Sequence, residues 1–277
     1  KLFENGTLTL KEAGVQKLAE EKEANSGKPV IKLKNLYFRY AKNADDVLRG
    51  LNLEIEEGKL HCLLGGNGSG KSTTLKAICE IIKPQSGKVK IADNCRAAMV
   101  PQNPQALFTE ISCEEEVLEG LCYQKLEIEE KVQRTEDMLK LMEIEHLRKA
   151  NPYDLSGGEQ QRLALAKVMV SNPDILLLDE PTKGLDPFFK QTLGRILRSL
   201  CKDNKTIFMV SHDIEFCAEF GDRCSMFFDG EIATSGSAKE FFSGNNFYTT
   251  VENKLTRKWC EGIITGEEAR TWIRSLL

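Results

Sequence analysis

Eight consecutive residues, Gly65-Gly66-Asn67-Gly68-Ser69-Gly70-Lys71-Ser72, fit the spacing G-x-x-x-x-G-K-[ST]. Glycines let a backbone wrap with its N–H groups turned inward, and a helix that starts immediately afterwards adds the positive end of its dipole. A phosphate chain fills such a nest. Asn67, Gly68, Ser69, Gly70 and Thr73 would line it, Lys71 would reach the β- and γ-phosphates of a nucleotide, and the Ser72 hydroxyl would ligate Mg²⁺. A glycine-rich turn without a ligand is the bland alternative, and the Lys-Ser ending argues against it. Farther along, the apolar run Ile175 to Leu178 ends in Asp179-Glu180, with Pro181 enforcing a turn. Two acids at a strand end place Asp179 beside a metal and Glu180 where an attacking water would stand, as its base or its orienter.

These residues need a sheet to hold them. Leu60 to Leu64, just before the glycine loop, reads as a central strand covered on both faces, and Leu75, Ile78, Cys79 and Ile82 recur behind it at helical spacing. Ile31, Leu33, Leu51, Leu53 and Ile55 alternate with polar residues as half-buried strands do. Val89 to Ala92 is a further short strand. Strands return at Ile175 to Leu178, Ile207 to Val210 and Ser225 to Phe228, around a helix carrying Phe189, Leu193, Ile196, Leu197 and Leu200. Strands alternating with helices imply a parallel sheet. A mainly helical stretch from about 112 to 171 interrupts the alternation and reads as a separate subdomain.

With 277 residues and 41% hydrophobic content, the chain is long and apolar enough to bury a full core. Its net charge of -4, with cations and acids interspersed, disfavours nucleic acid as a partner. No apolar run approaches the roughly 20 residues that span a bilayer. Nine cysteines without a Cys-x-x-Cys pair fit a reducing, cytosolic setting, and three histidines, none at ligand spacing to a cysteine or carboxylate cluster, disfavour a zinc site. The first residue is Lys1, so the chain looks like a piece of something longer. Residues 1–29, with a capping box at Thr9 to Glu12, read as a linker or inter-domain tail. The stretch from about 236 has no clear pattern.

Leu155-Ser156-Gly157-Gly158-Glu159-Gln160, with Arg162, resembles the signature motif of ATP-binding cassette (ABC) proteins. The resemblance covers roughly residues 30–235 and implies an α/β fold. It comprises a P-loop NTPase (RecA-like) core with a parallel sheet, an antiparallel β subdomain and an α-helical signature subdomain at about 104–171. Residues 236–277 would then be a C-terminal extension. In the family, the signature serine and glycines, here Ser156, Gly157 and Gly158, close on the γ-phosphate held by a partner domain. Tyr40 matches the aromatic that stacks on adenine, with Tyr37 and Phe38 as competitors. Gln102 matches the glutamine that touches Mg²⁺ and water, Asp186 the loop that crosses to the partner, and His212 the histidine that senses the γ-phosphate. His61 and His146 have no such match and read as structural.

Within the family, three stretches resemble the ATPases of energy-coupling-factor (ECF) importers of vitamins and metal ions: Asn103 to Phe108, Pro181 to Asp186, and the tail Asn246 to Thr250. They are most similar to the second half of tandem chains. Lys183 departs from the small residue usual in cassettes. The resemblance implies ATP with Mg²⁺ and a second ATPase domain, either an identical copy or the other half of a fused chain. It also implies a transmembrane coupling subunit docking near the segment after Gln102, a substrate-binding membrane subunit, and a peripheral place on the cytoplasmic face of the membrane. The apolar Ala106, Leu107 and Phe108 in that segment read as docking residues, with Phe108 packed into its own subdomain as the bland alternative. A soluble, non-transport cassette ATPase and an ATP-binding domain that does not hydrolyse remain the alternatives.

Overall fold

The computed structural model describes residues 27–244 and 248–276, and gives only the backbone of three two-residue strands between 1 and 26. The capping box at Thr9 to Glu12 and the pair Asn246-Phe247 lie outside the described residues. Strands β1 (Pro29–Phe38), β2 (Leu48–Glu56) and β4 (Ser86–Ile91) form an antiparallel sheet in the order β2-β1-β4. The β1 strand alternates inward Ile31, Leu33, Leu36 and Phe38 with outward residues, and a register shift at Asn35, whose φ is 48°, keeps the later apolar side chains on the buried face.

The second sheet has six strands in the order β9-β8-β3-β7-β6-β5: β3 (Leu60–Gly65), β5 (Ala97–Val100), β6 (Ile175–Asp179), β7 (Thr206–Val210), β8 (Arg223–Phe228) and β9 (Glu231–Ser237). Only β9 runs antiparallel. Side chains alternate along these buried strands and so feed two cores. Leu63, Ile175, Leu177, Phe208 and Val210 meet α1 (Lys71–Ile78) and the antiparallel sheet. Leu60, Cys62, Leu64, Leu176, Leu178 and Met209 pack on the other face against α4 (Gly157–Met169), α5 (Pro187–Lys202) and α6 (Ile214–Phe220). This is the expected α/β architecture.

Between β5 and β6 lie α2 (Cys113–Glu119) and α3 (Ile128–Leu141), both packed with α4 into the expected helical subdomain. Two strands of the six-stranded sheet escaped the sequence reading. Ala97–Val100 is too short to show a period, and Glu231–Ser237 is an exposed edge with no buried stripe. The stretch from about 236 also has more order than its pattern showed. It forms α7 (Ala238–Gly244), α8 (Val251–Thr256) and α9 (Gly266–Ser275), and Phe241 and Phe242 of α7 plug into the main core. No helix among the described residues is long and apolar enough to cross a membrane.

Candidate functional site

Register brings the chemistry to one edge. Val210 pairs with both Leu63 and Asp179, Val100 pairs with Leu178, and Phe227 pairs with Gly65, so the parallel strands end together. The residues that follow them are the glycine loop, Gln102, Glu180 and His212. In an open parallel sheet, ligands bind outside these carboxyl ends.

The glycine loop turns from β3 into α1. Gly70 holds a left-handed φ of 116°, and a Cβ there would sit 2.9 Å from the carbonyl of Val47, so only glycine fits. No side chain caps α1, which leaves its first-turn N–H groups to an anion. Lys71 Nζ lies across the loop, donating to the carbonyls of Gly65 at 2.9 Å and Gly66 at 2.8 Å. Burial pulls the Lys71 ammonium below its usual pKa, against the pull of Glu180 and Asp179. Asn67 and Gly68 are exposed on the open side of the turn, whereas the Ser69 hydroxyl is buried with no hydrogen-bond partner among the described residues.

Ser72 donates its hydroxyl to Asp179 at 3.0 Å. Burial pushes the Asp179 carboxyl up, and neighbouring Glu180 adds to the push. Two hard oxygens in a site where negative charge is poorly solvated fit a small divalent cation such as Mg²⁺.

Glu180 has φ 54°, uncommon for a residue with a side chain, and its N–H donates to Val210 across the strand ends. This turn aims its carboxylate along the edge to His212, which meets the same oxygen twice, by Nδ1 at 2.7 Å and by its backbone N–H at 3.2 Å. The Glu180 side chain is 7% exposed and that of His212 62%, so the pair joins the interior to the open edge.

Tyr40 follows β1 and is 60% exposed, its ring in a T-shaped contact with Phe38 at 4.9 Å and bonded through its hydroxyl to Thr73 of α1 at 2.9 Å. A cleft of about 360 Å³ opens beside it, lined by Arg39, Tyr40, Ala41, Lys42 and Gln85. Of the competitors, Phe38 is buried in the core and Tyr37 lies against Gly50 of β2.

Gln102, just past β5, is exposed. Beyond it, the expected apolar triplet divides. Ala106 is exposed, but Phe108 is buried edge-to-face against Tyr153 and packs into its own subdomain, which corrects the expectation that it faces a partner. Lys167 and Glu116 secure this segment, and the sequence reading passed over both. Glu116 Oε1 accepts the N–H groups of Thr109 at 2.5 Å and Glu110 at 2.6 Å, and its Oε2 takes Lys167 Nζ at 2.5 Å. Lys167 also binds the Leu107 carbonyl at 2.6 Å and Glu119 at 3.0 Å. Glu116 is wholly buried inside a helix, and the acidic run Glu114-Glu115-Glu116 in which it stands gives no local signal of that burial.

Ser156 caps α4 in a full capping box with Glu159. The ordinary helix cap is therefore real, and Gly157 adds an uncovered backbone beside it. A Cβ on Gly158 would meet the Gly184 carbonyl at 2.9 Å, so the signature turn rests on the loop after β6. Asp186 caps α5 by accepting the Phe189 N–H at 2.9 Å and pairs with Arg162 of α4 at 3.1 Å; these interactions hold its carboxyl below the usual range. Lys183 is exposed in the same loop. His61 is structural, bonded to Ser225 at 2.7 Å and kept neutral by burial, which lowers its pKa to about 3; His146 is exposed.

Comparison with known proteins decides the family. The family described as ABC transporter matches residues 48–183. The chain is 32% identical over 269 residues to the energy-coupling factor transporter ATP-binding protein EcfA1 of Ligilactobacillus salivarius, covering 88% of this chain and 95% of that one. This chain belongs to the ABC transporter ATP-binding family. ATP-binding subunits of that family are ATPases. An ABC transporter ATP-binding protein of Bacillus cereus is 41% identical over 250 residues, covering 86% of this cassette but only 45% of that protein. The cassette thus spans about half the length of the curated relatives it matches first. A dimeric ATP-binding cassette solved in a post-hydrolysis state with ADP and phosphate superposes with a TM-score of 0.69 at 31% identity, covering 75% of this chain and 98% of that one.

Proposed function

We propose that this cassette is the MgATP-hydrolysing subunit of an ECF-type importer of a vitamin or metal ion. The observation that carries hydrolysis is the Glu180–His212 pair beside Ser72–Asp179 at the sheet edge. Lys71 and the turn from Asn67 to Thr73 hold the triphosphate, Tyr40 stacks on the base, and Ser72, Asp179 and Gln102 hold Mg²⁺, which offsets charge on the phosphates. Glu180 orients or deprotonates the water, and His212 fixes the carboxylate while facing the γ-phosphate. Ser156, Gly157 and Gly158 close on the nucleotide of a second cassette domain, with Asp186 at the crossing. The partner domain is a second copy or the other half of a tandem chain.

Two relatives named as ECF ATP-binding proteins, each 32% identical over most of its own length, support the ECF assignment. A coupling subunit in the membrane docks on the exposed part of the segment from Gln102 onward, where Ala106 is exposed and Ile111 is 76% exposed, and a separate membrane subunit binds the cargo. The cassette then sits peripherally on the cytoplasmic face. Purifying the full-length protein from its native membranes tests this. Copurification of a transmembrane subunit that crosslinks near Ala106 and Ile111 is expected, whereas recovery of ATPase activity wholly in soluble complexes favours the non-transport alternative.

A further inference from the structure

The β1 strand ends at Phe38, two residues before the exposed ring of Tyr40. On one side its ladder stops at the bond from Val47 N–H to the Phe38 carbonyl. On the other side it continues by an unusual means. Tyr37 pairs with Ser86, the first residue of β4, and Gln85 N–H donates to the Tyr37 carbonyl at 2.9 Å. The Gln85 side chain then supplies the next rung. Its Oε1 accepts the Arg39 N–H at 2.9 Å and its Nε2 donates to the Arg39 carbonyl at 2.9 Å. One amide thus satisfies both backbone groups of the residue before Tyr40, as a neighbouring strand would.

Among the described residues, the Tyr40 ring is otherwise held by its T-shaped contact with Phe38 and by the Thr73 hydroxyl, and the turn after it, 41–46, is largely exposed. An aromatic platform gives affinity to a base only if its plane is already set, because ordering it on binding consumes the gain. Resting on the assignment of Tyr40 as the base platform, we propose that Gln85 is the positioning residue that presets this platform. Gln85 lines the same cleft as Tyr40, but both ends of its amide are committed to Arg39, so it acts through the backbone rather than by reading the base.

The test compares binding of MgATP with binding of magnesium tripolyphosphate, which has the phosphates and no base, to the wild-type chain and to Tyr40→Ala, Gln85→Ala and Gln85→Glu. The ratio of the two affinities isolates the base contact. Tyr40→Ala should cut the ratio about tenfold or more, the usual worth of a stacked base. Gln85→Ala should cut it about threefold to tenfold with tripolyphosphate binding intact, and Gln85→Glu, which keeps the acceptor for Arg39 N–H and loses the donor, should fall between. A general loss of structure would weaken both ligands together and leave the ratio alone, so it would count against the proposal. A wild-type ratio in Gln85→Ala alongside a lowered ratio in Tyr40→Ala overturns the role of Gln85 and spares the platform. A wild-type ratio in all variants overturns the platform and the proposal with it.

Discussion

The sheet edge and the helical subdomain hold their functional residues in opposite ways. At the edge, strand register delivers Lys71, Asp179, Glu180 and His212 to one place, and each is then held at 2.7 to 3.0 Å: His212 on Glu180, Asp179 by the Ser72 hydroxyl, and Lys71 on the Gly65 carbonyl. In the helical subdomain, the exposed Ser156 cap and the segment after Gln102 make few such contacts with each other. A buried ion pair between Lys167 and Glu116, neither of them part of a motif, holds the segment to α2 and α4 instead. Chemistry is preset where backbone pairing is dense, whereas the segment after Gln102 is held by a few side chains.

The sharpest way to break the first half of this contrast is to remove the one cation from the loop. Lys71→Ala should leave no saturable MgATP binding below roughly 1 mM, a threshold of about 4 kcal/mol. Calorimetric titration checks it, and wild-type affinity would take Lys71 out of the site.

The second half is tested by stability. Lys167→Met strands the Glu116 carboxylate in the core, which costs about 3–5 kcal/mol. Lys167→Met combined with Glu116→Gln should recover most of that, since the carbonyl of the substituted amide still accepts the Thr109 and Glu110 N–H groups without a buried charge. Denaturant unfolding of both variants reads the difference. Equal stability of the single and double variants would mean that the pair is not the fastener described.

A smaller effect separates the two halves by pH. Burial and Glu180 raise the pKa of Asp179, and an acid whose folded value exceeds its unfolded one costs stability above the folded pKa and nothing below the unfolded one. Neutral pH lies in the costly window. Asp179→Asn should therefore raise the melting temperature of the nucleotide-free protein by about 2–4 °C, the worth of ~1 kcal/mol, and the gain should shrink on acidification. A lower melting temperature at pH 7 would show that the site is not strained by its own charge.

The same contrast explains what could be read from the sequence. Strands β3, β6 and β7 and the residues after them were legible because buried parallel strands are continuous apolar runs, and motif residues follow them at fixed offsets. Ser156 and Asp186 were legible through the family motifs that they belong to, although both also serve as plain helix caps. Lys167, Glu116 and Gln85 were not, because their partners lie between 46 and 60 residues away at several points and no local spacing encodes such pairs. The burial of Phe108 stood only as the bland alternative for a similar reason: its partner, Tyr153, is 45 residues on. Helices α7 and α8 were missed because each is only six or seven residues long, too short to show a period.

The central claim is that the carboxyl edge of the sheet hydrolyses ATP through Glu180. Glu180→Gln preserves shape and keeps an acceptor for the His212 N–H, so MgATP binding should be retained. Turnover by the full-length protein at saturating MgATP should fall by about 10² to 10⁴, the usual worth of a general base. The variant should accumulate with uncleaved ATP bound between two cassette domains. Near-normal turnover by Glu180→Gln under those conditions would contradict the account and move the handling of water to another residue.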